Sequence, residues 1–221
     1  MPIPFARPSQ AVPAGRPMLD LYRQRAHRYD MELAPFEPIR RQAIERLGLK
    51  PGQTVLDVGC GTGLSLPGLC QAVGSQGRVI GVEQCPEMLA HAHARMAETS
   101  LGAGAVELVC SPVQQASLEG WADAAMFHFT HDIVCDPQAL ARVLAHLRPG
   151  ARIVATGLQW APAWAWMANA WVWSAALYSV SSLRELEAPW RLLAAVLPGL
   201  QVEPIWQGAV YLAHGHVPDA R

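Results

Sequence analysis

The sequence predicts an α/β protein: a doubly wound, mostly parallel sheet closed by a C-terminal antiparallel hairpin. Three observations carry this. Strand-like runs alternate with helix-like runs from Thr54 to Gly157, the pattern of a parallel sheet covered on both faces. The first strand runs through Val55-Leu56-Asp57-Val58 into Gly59-Cys60-Gly61-Thr62-Gly63, three glycines spaced two apart, with a helix-like segment after them. Two strand-like runs, Gln201–Trp206 and Val210–His214, close the chain as a hairpin.

The elements follow in order. Met18–Asp30 reads as a first helix, and Ala34–Leu47 as a second, with Ile39, Ala43 and Leu47 four apart on one face. Strand one is Thr54–Val58, followed by helix Leu64–Val73, strand two Arg78–Glu83 and helix Pro86–Thr99. Strand three is Val106–Cys110, strand four Ala122–Phe129, and Pro137–Leu147 a helix. Arg148-Pro149-Gly150 is expected to turn the chain into strand five, Ala151–Gly157, and Pro189–Val196 is the last helix.

Composition narrows the function classes. A chain of 221 residues fits one domain with a real core, and a net charge of −1 gives no general attraction to nucleic acid. Residues 1–50 hold nine Lys/Arg against five Asp/Glu, all but one of the basic residues being Arg, among them Arg23, Arg25, Arg28, Arg40 and Arg41. They read as a solvated helix face; weak association with an anionic surface is the alternative. Five scattered cysteines without a C-x-x-C pair argue against a disulfide framework and a zinc site. No signal peptide is evident, so the expected compartment is the cytoplasm. The uncharged run from Ile153 to Leu183 is interrupted by Gly157, Gln159, Pro162 and Asn169, and reads as a buried strand and a buried helix rather than a membrane span.

The glycine turn carries the chemistry. Glycine adopts positive φ and lets a ligand approach the backbone, and the helix beyond offers unpaired N–H groups. Glu83 ends strand two, 20 residues after Gly63, where a carboxylate in a βαβ unit accepts from ribose hydroxyls. Asp57-Val58-Gly59-Cys60-Gly61-Thr62-Gly63, with Glu83 and then Pro86-Glu87-Met88-Leu89, resembles the class I S-adenosylmethionine (SAM) methyltransferases over roughly residues 36–215. That resemblance implies a Rossmann-like fold, SAM as cosubstrate and no metal. It implies cofactor contacts from Asp57, Gly59, Gly61, Gly63, Glu83, Gln84 and Met88, with Asp57 near the cofactor's ammonium group. Ser111, Pro112 and Val113 would meet the adenine; Ser111 stands where many relatives have an acidic residue.

Strand four ends in Phe127-His128-Phe129-Thr130-His131-Asp132, where the family places residues beside the reacting sulfonium. His128 and His131 fit a proton-accepting role or plain packing, and His128 also a cofactor contact; Thr130 falls in the same loop. Tyr22-Arg23-Gln24-Arg25-Ala26-His27-Arg28-Tyr29-Asp30 resembles the stretch that closes over the cofactor in relatives that methylate quinones and lipid headgroups. Tyr22 and Tyr29 are its candidate contacts, Tyr29 also a catalytic candidate. Trp160, Trp164, Trp166, Trp171 and Trp173 follow strand five, with 164/171 and 166/173 seven apart on shared helix faces. They fit either core or a pocket wall; Trp164, Trp171 and Tyr178 are the substrate-pocket candidates.

The organisation expected is a flexible tail (1–17) and one SAM-binding domain (18–221). That domain has N-terminal lid helices (18–47) and a Trp-rich insertion (158–183). The function expected is methyl transfer to a small-molecule acceptor. Two alternatives use the same fold: cyclisation of SAM to azetidine-2-carboxylate and methylthioadenosine, and a SAM-fold binding protein without catalysis.

Overall fold

The computed structural model describes residues 30, 33–99, 105–176 and 182–219. Seven strands form one sheet: β1 (Thr54–Val58), β2 (Arg78–Glu83), β3 (Ala105–Cys110), β4 (Ala122–His128), β5 (Leu147–Leu158), β6 (Gln201–Ile205) and β7 (Val210–His216). Their order is β3-β2-β1-β4-β5-β7-β6. β1 to β5 pair in parallel, and β7 runs antiparallel to both β5 and β6. The order reverses between β1 and β4, and ligands of open α/β sheets bind outside the strand ends at such a point.

The helices are α1 (Glu37–Leu47), α2 (Leu66–Val73), α3 (Pro86–Glu98), α4 (His131–Val134), α5 (Pro137–Leu144), α6 (Trp166–Ala176) and α7 (Arg191–Val196). Local signals set their ends. Gly48, at φ 56°, takes the left-handed turn that stops α1. Asp136 caps α5 by accepting from the N–H groups of Gln138 and Ala139, with Pro137 at the start.

The strand pleat divides the core in two. Leu56, Val58, Ala125, Phe127 and Tyr211 pack on one face. Val55, Ala124, Met126 and Leu212 pack on the other, with Ala43 and Leu47 of α1. By that alternation Asp57 and His128 emerge on the α1 side, at the ligand-binding edge.

Several expectations need correction. Strand five begins at Leu147, so the preceding helix stops at Leu144. The expected turn Arg148-Pro149-Gly150 is instead a bulge: Ala122 pairs with Leu147 but Ala124 with Arg152, and Gly150 sits at φ 75°. Ala34–Phe36 is a 3-10 turn before α1 rather than its first turn. The short helix α4 was not anticipated. The helix of the Trp run is only half-buried: α6 buries Val172 and Ala176, while Trp166 and Trp173 are 69% and 52% exposed. The polar residues interrupting that run are satisfied. Gln159 donates to the Gly208 carbonyl at 2.8 Å, and Asn169 clamps the N–H and C=O of Ala161 at 2.8 and 3.1 Å. The tail and the first helix, apart from Asp30, lie outside the described residues.

Candidate active site

The glycine turn is tied to β2, because the N–H groups of Gly59 and Cys60 both donate to the Val82 carbonyl, at 2.8 and 3.0 Å. Gly59, Gly61 and Gly63 have φ of 73°, 56° and 77°, where glycine avoids the Cβ penalty. Packing also demands two of them. A Cβ on Gly59 would lie 2.5 Å from Thr130 Cγ2, and one on Gly63 2.9 Å from Ala92 Cβ of α3.

Glu83 accepts from the N–H of Gly61 at 3.1 Å and of Cys85 at 2.8 Å. Burial pushes its carboxyl upward, and these amides, with that of Gln84, oppose the rise. Asp30 is fastened to the same turn: Thr62 Oγ1 donates to it at 2.6 Å, and Arg95 pairs with it while donating to the Thr62 carbonyl.

Four buried polar atoms converge on the ends of β1 and β4 without a hydrogen-bond partner among the described residues: Asp57 Oδ2, Arg40 Nε, His128 Nε2 and Thr130 Oγ1. Arg40, Asp57 and His128 line one small cleft of about 30 Å³ with Leu33 and the glycine turn. Burial lifts the Asp57 carboxyl to about 7, with Arg40 opposing and Glu83 adding to the rise. Burial, seconded by Arg40, drops His128 to about 3, so its ring is neutral and its Nδ1 shares a 2.7 Å hydrogen bond with Thr156 Oγ1. Unpartnered buried polar groups are costly, and this set suits the zwitterionic end of a bound amino acid: a carboxylate for an ammonium, a guanidinium for a carboxylate.

Arg40 is a correction as well as an addition. It was expected on a solvated face, yet it is only 3% exposed and ion-paired to Glu37. The pair Glu37/Arg40, three apart, looks like ordinary surface helix in sequence; only the docking of α1 on the sheet turns it inward.

A second, larger recess of about 410 Å³ lies beside this cleft, lined by Pro35, Phe36, Ala168, Trp171, Trp206 and Ala209. Phe36 stands 6.0 Å from Trp171 and 5.2 Å from Trp206, ring centre to ring centre. Phe129 bridges the two spaces. Its ring meets Phe36 edge-on at 4.6 Å on one side and the His128 ring at 4.9 Å on the other. Its φ of 57° is an outlier for a bulky side chain, a kind of strain that concentrates at functional sites. Phe36, Phe129 and Trp206 were not singled out in sequence. Their partners lie far along the chain, and no local pattern marks them.

The other candidates fall as follows. His131 is buried but turns away from the cleft, its Nε2 lying 3.1 Å from Glu185. Thr130 packs its methyl on Gly59. Trp171 reaches the recess, but Trp164 is 72% exposed and outside it, so the expected 164/171 face does not form; Trp164 precedes α6. Ser111 donates to the Pro112 carbonyl at 3.0 Å at the end of β3, next to the end of β2, and Val113 is buried. Gln84 is exposed and Met88 buried. Tyr22, Tyr29 and Tyr178 lie outside the described residues.

Sheet order, glycine turn and acidic β2 end match the Rossmann-like fold of solved SAM-dependent methyltransferases. Residues 55–150 match the family model described as a methyltransferase domain. The chain is 36% identical over 110 residues to protein-L-isoaspartate O-methyltransferase 1 of Arabidopsis thaliana, covering 48% of this chain and 46% of that one. It is 32% identical over 123 residues to nocamycin O-methyltransferase of Saccharothrix syringae, covering 55% and 44%. It superposes with a TM-score of 0.63 on the N-methyltransferase NodS from Bradyrhizobium japonicum in complex with S-adenosyl-L-homocysteine, at 17% identity, covering 90% of this chain and 100% of that one. The chain spans half or less of the length of the curated relatives it matches. None of these proteins speaks for the cyclisation alternative. Among the described residues no helix is long and apolar enough to cross a membrane.

Proposed function

We propose that this chain transfers the methyl group of SAM to a small, largely apolar acceptor. The observation that carries the reading is the pairing of two unlike spaces across Phe129: a polar cleft into which Asp57 Oδ2 and Arg40 Nε turn without a partner among the described residues, and an aromatic recess walled by Phe36, Trp171 and Trp206. SAM, when bound, supplies an activated methyl group on a sulfonium that is its own leaving group. The protein then has to hold donor and acceptor in line and keep water out, which supplies much of such a rate.

Asp57 takes the cofactor's ammonium and Arg40 its carboxylate, while Glu83 exchanges amide contacts for the ribose hydroxyls. Aromatic faces attract a cation, a contact worth about 0.5–2 kcal/mol, and they accept flat or alkyl acceptors. Neutral His128 offers Nε2 as a hydrogen-bond acceptor for a nucleophile's proton. An overall charge of −1 supports a small molecule over nucleic acid as the acceptor.

The test is incubation of the pure protein with SAM and a panel of aromatic and alkyl acceptors, analysing the nucleoside formed. S-adenosylhomocysteine equimolar with a methylated acceptor supports the reading. Turnover of polar acceptors only, unaffected by Trp171→Leu, defeats the assignment of the recess. Methylthioadenosine as the nucleoside defeats methyl transfer itself.

A further inference from the structure

Away from the cleft, a second cluster joins three metal-binding side chains that no spacing in the sequence brings together. His131 and Cys135 are four apart at the two ends of α4, so they project to the same side. Glu185 comes from the 3-10 turn Leu183–Glu187, 50 residues later in the chain. His131 Nε2 lies 3.1 Å from Glu185 Oε2 and 3.7 Å from Cys135 Sγ, and all three ligand atoms fall within 4.8 Å of one another. The His131 side chain is 4% exposed, and its other ring nitrogen, Nδ1, is buried with no partner among the described residues. Among these residues the ring's polar contacts are made inside the cluster.

We propose that His131, Cys135 and Glu185 form a binding site for one divalent ion of the zinc type. Tetrahedral zinc takes imidazole nitrogen and carboxylate oxygen at about 2.0–2.2 Å and thiolate sulfur at about 2.3 Å, which places ligand atoms roughly 3.3–3.8 Å apart. The measured separations reach that geometry with sub-ångström side-chain shifts for the two pairs that include His131. One nitrogen, one sulfur and one oxygen donor is a set that borderline-soft zinc favours over magnesium or calcium. Three protein ligands leave the fourth position for water.

The consequence is mechanical. α4 follows directly on the Phe129-Thr130 loop, and the Glu185 turn closes the Trp-bearing insertion. An ion here clips the two together, independently of how the acceptor is bound. Cys135 and His131 bind in their deprotonated forms, so loading releases a proton from the thiol.

The test uses the full chain stripped with a chelator and then titrated with Co²⁺ as a spectroscopic stand-in, and with Zn²⁺ in competition with a chromophoric chelator. One ion per chain should bind. The cobalt form should show the intense visible bands of four coordination and a sulfur-to-metal band in the near ultraviolet. Cys135→Ser should abolish the sulfur band. Glu185→Gln, at a half-exposed position where folding is not at stake, should weaken binding by at least the roughly tenfold that loss of even an outer-shell partner costs. Cys110→Ser, on an exposed cysteine elsewhere, should change neither. Zn²⁺ should raise the melting temperature of the wild type and of Cys110→Ser equally, and of Glu185→Gln and Cys135→Ser by less at the same metal concentration. Absence of one-to-one binding at micromolar metal overturns the proposal, as does a sulfur band that survives Cys135→Ser.

Discussion

Asp57 and His128 face the same cleft and respond to it in opposite senses. Burial lifts Asp57 from 3.8 to about 7, so the folded, ligand-free chain keeps a proton that the unfolded chain has lost. Asp57 therefore costs stability progressively as pH rises from about 4 to about 7, and nothing further above that. His128 is lowered from 6.5 to about 3, so its contribution is complete above 6.5 and is lost as pH falls toward 3. Between about 4 and 6.5 the two slopes offset. Asp57→Asn removes only one of them, so its melting temperature relative to wild type should climb with pH across that window. An ammonium beside Asp57 favours the carboxylate and expels the proton. SAM affinity should thus rise with pH up to about 7 in the wild type and stay flat in Asp57→Asn, as calorimetry at several pH values would read. Gly59→Ala is the steric counterpart. Its Cβ would press on Thr130 and Ile133 at a positive φ, and overpacking of this kind costs about 1–3 kcal/mol, measurable by denaturant unfolding. The placement of Asp57, the glycines and Glu83 around one turn was legible in sequence because they sit within one βαβ unit. Arg40 was not, since its burial depends on how a helix from outside that unit docks.

At the scale of elements, the residue that follows β4 and the 3-10 turn before α1 build the partition between cleft and recess, through Phe129 and Phe36. The strand–helix alternation of the sheet, apart from the short α4, was legible because it rests on local periodicity and turn residues. What failed were places where pairing outweighed the local signal. Pro149-Gly150 became a bulge because β5 continues to pair with β4 and with the C-terminal strand. The uncharged Trp run suggested burial, yet α6 contacts the body along one side only, and its outer tryptophans stay exposed. Trp171→Leu should lower turnover of an apolar acceptor with little change in SAM affinity. Trp166→Ala, on the exposed side, should stay within about 0.5 kcal/mol of wild-type stability and turn over normally. Equal effects from both would mean that the recess does not hold the acceptor. Phe129→Ala removes the bridging ring; it should raise KM for the acceptor more than it changes SAM affinity.

The whole molecule places its polar cleft at the point where strand order reverses, between apolar layers on the two sheet faces. That cleft, about 30 Å³, accommodates one or two waters and not an amino acid. Binding an amino acid there requires the walls to part, and Asp30, latched to the glycine turn through Thr62 and Arg95, is the contact to test. Weakening that latch with Asp30→Asn should speed both association and release of SAM in stopped-flow measurements. SAM binding should stabilise the fold by about 2.7 kcal/mol at a hundredfold excess over Kd, seen as a rise in melting temperature. The central claim is that Asp57, Arg40 and Glu83 together receive the cofactor. Calorimetric titration of SAM into the wild type and into Arg40→Gln, chosen because the sequence reads that residue as part of a solvated face, tests this most directly. The account predicts one site in the wild type and a loss of about 1.5–3 kcal/mol in the variant, the scale of a hydrogen bond to a charged group. Unchanged affinity in a folded Arg40→Gln, or no binding by the wild type, would contradict it.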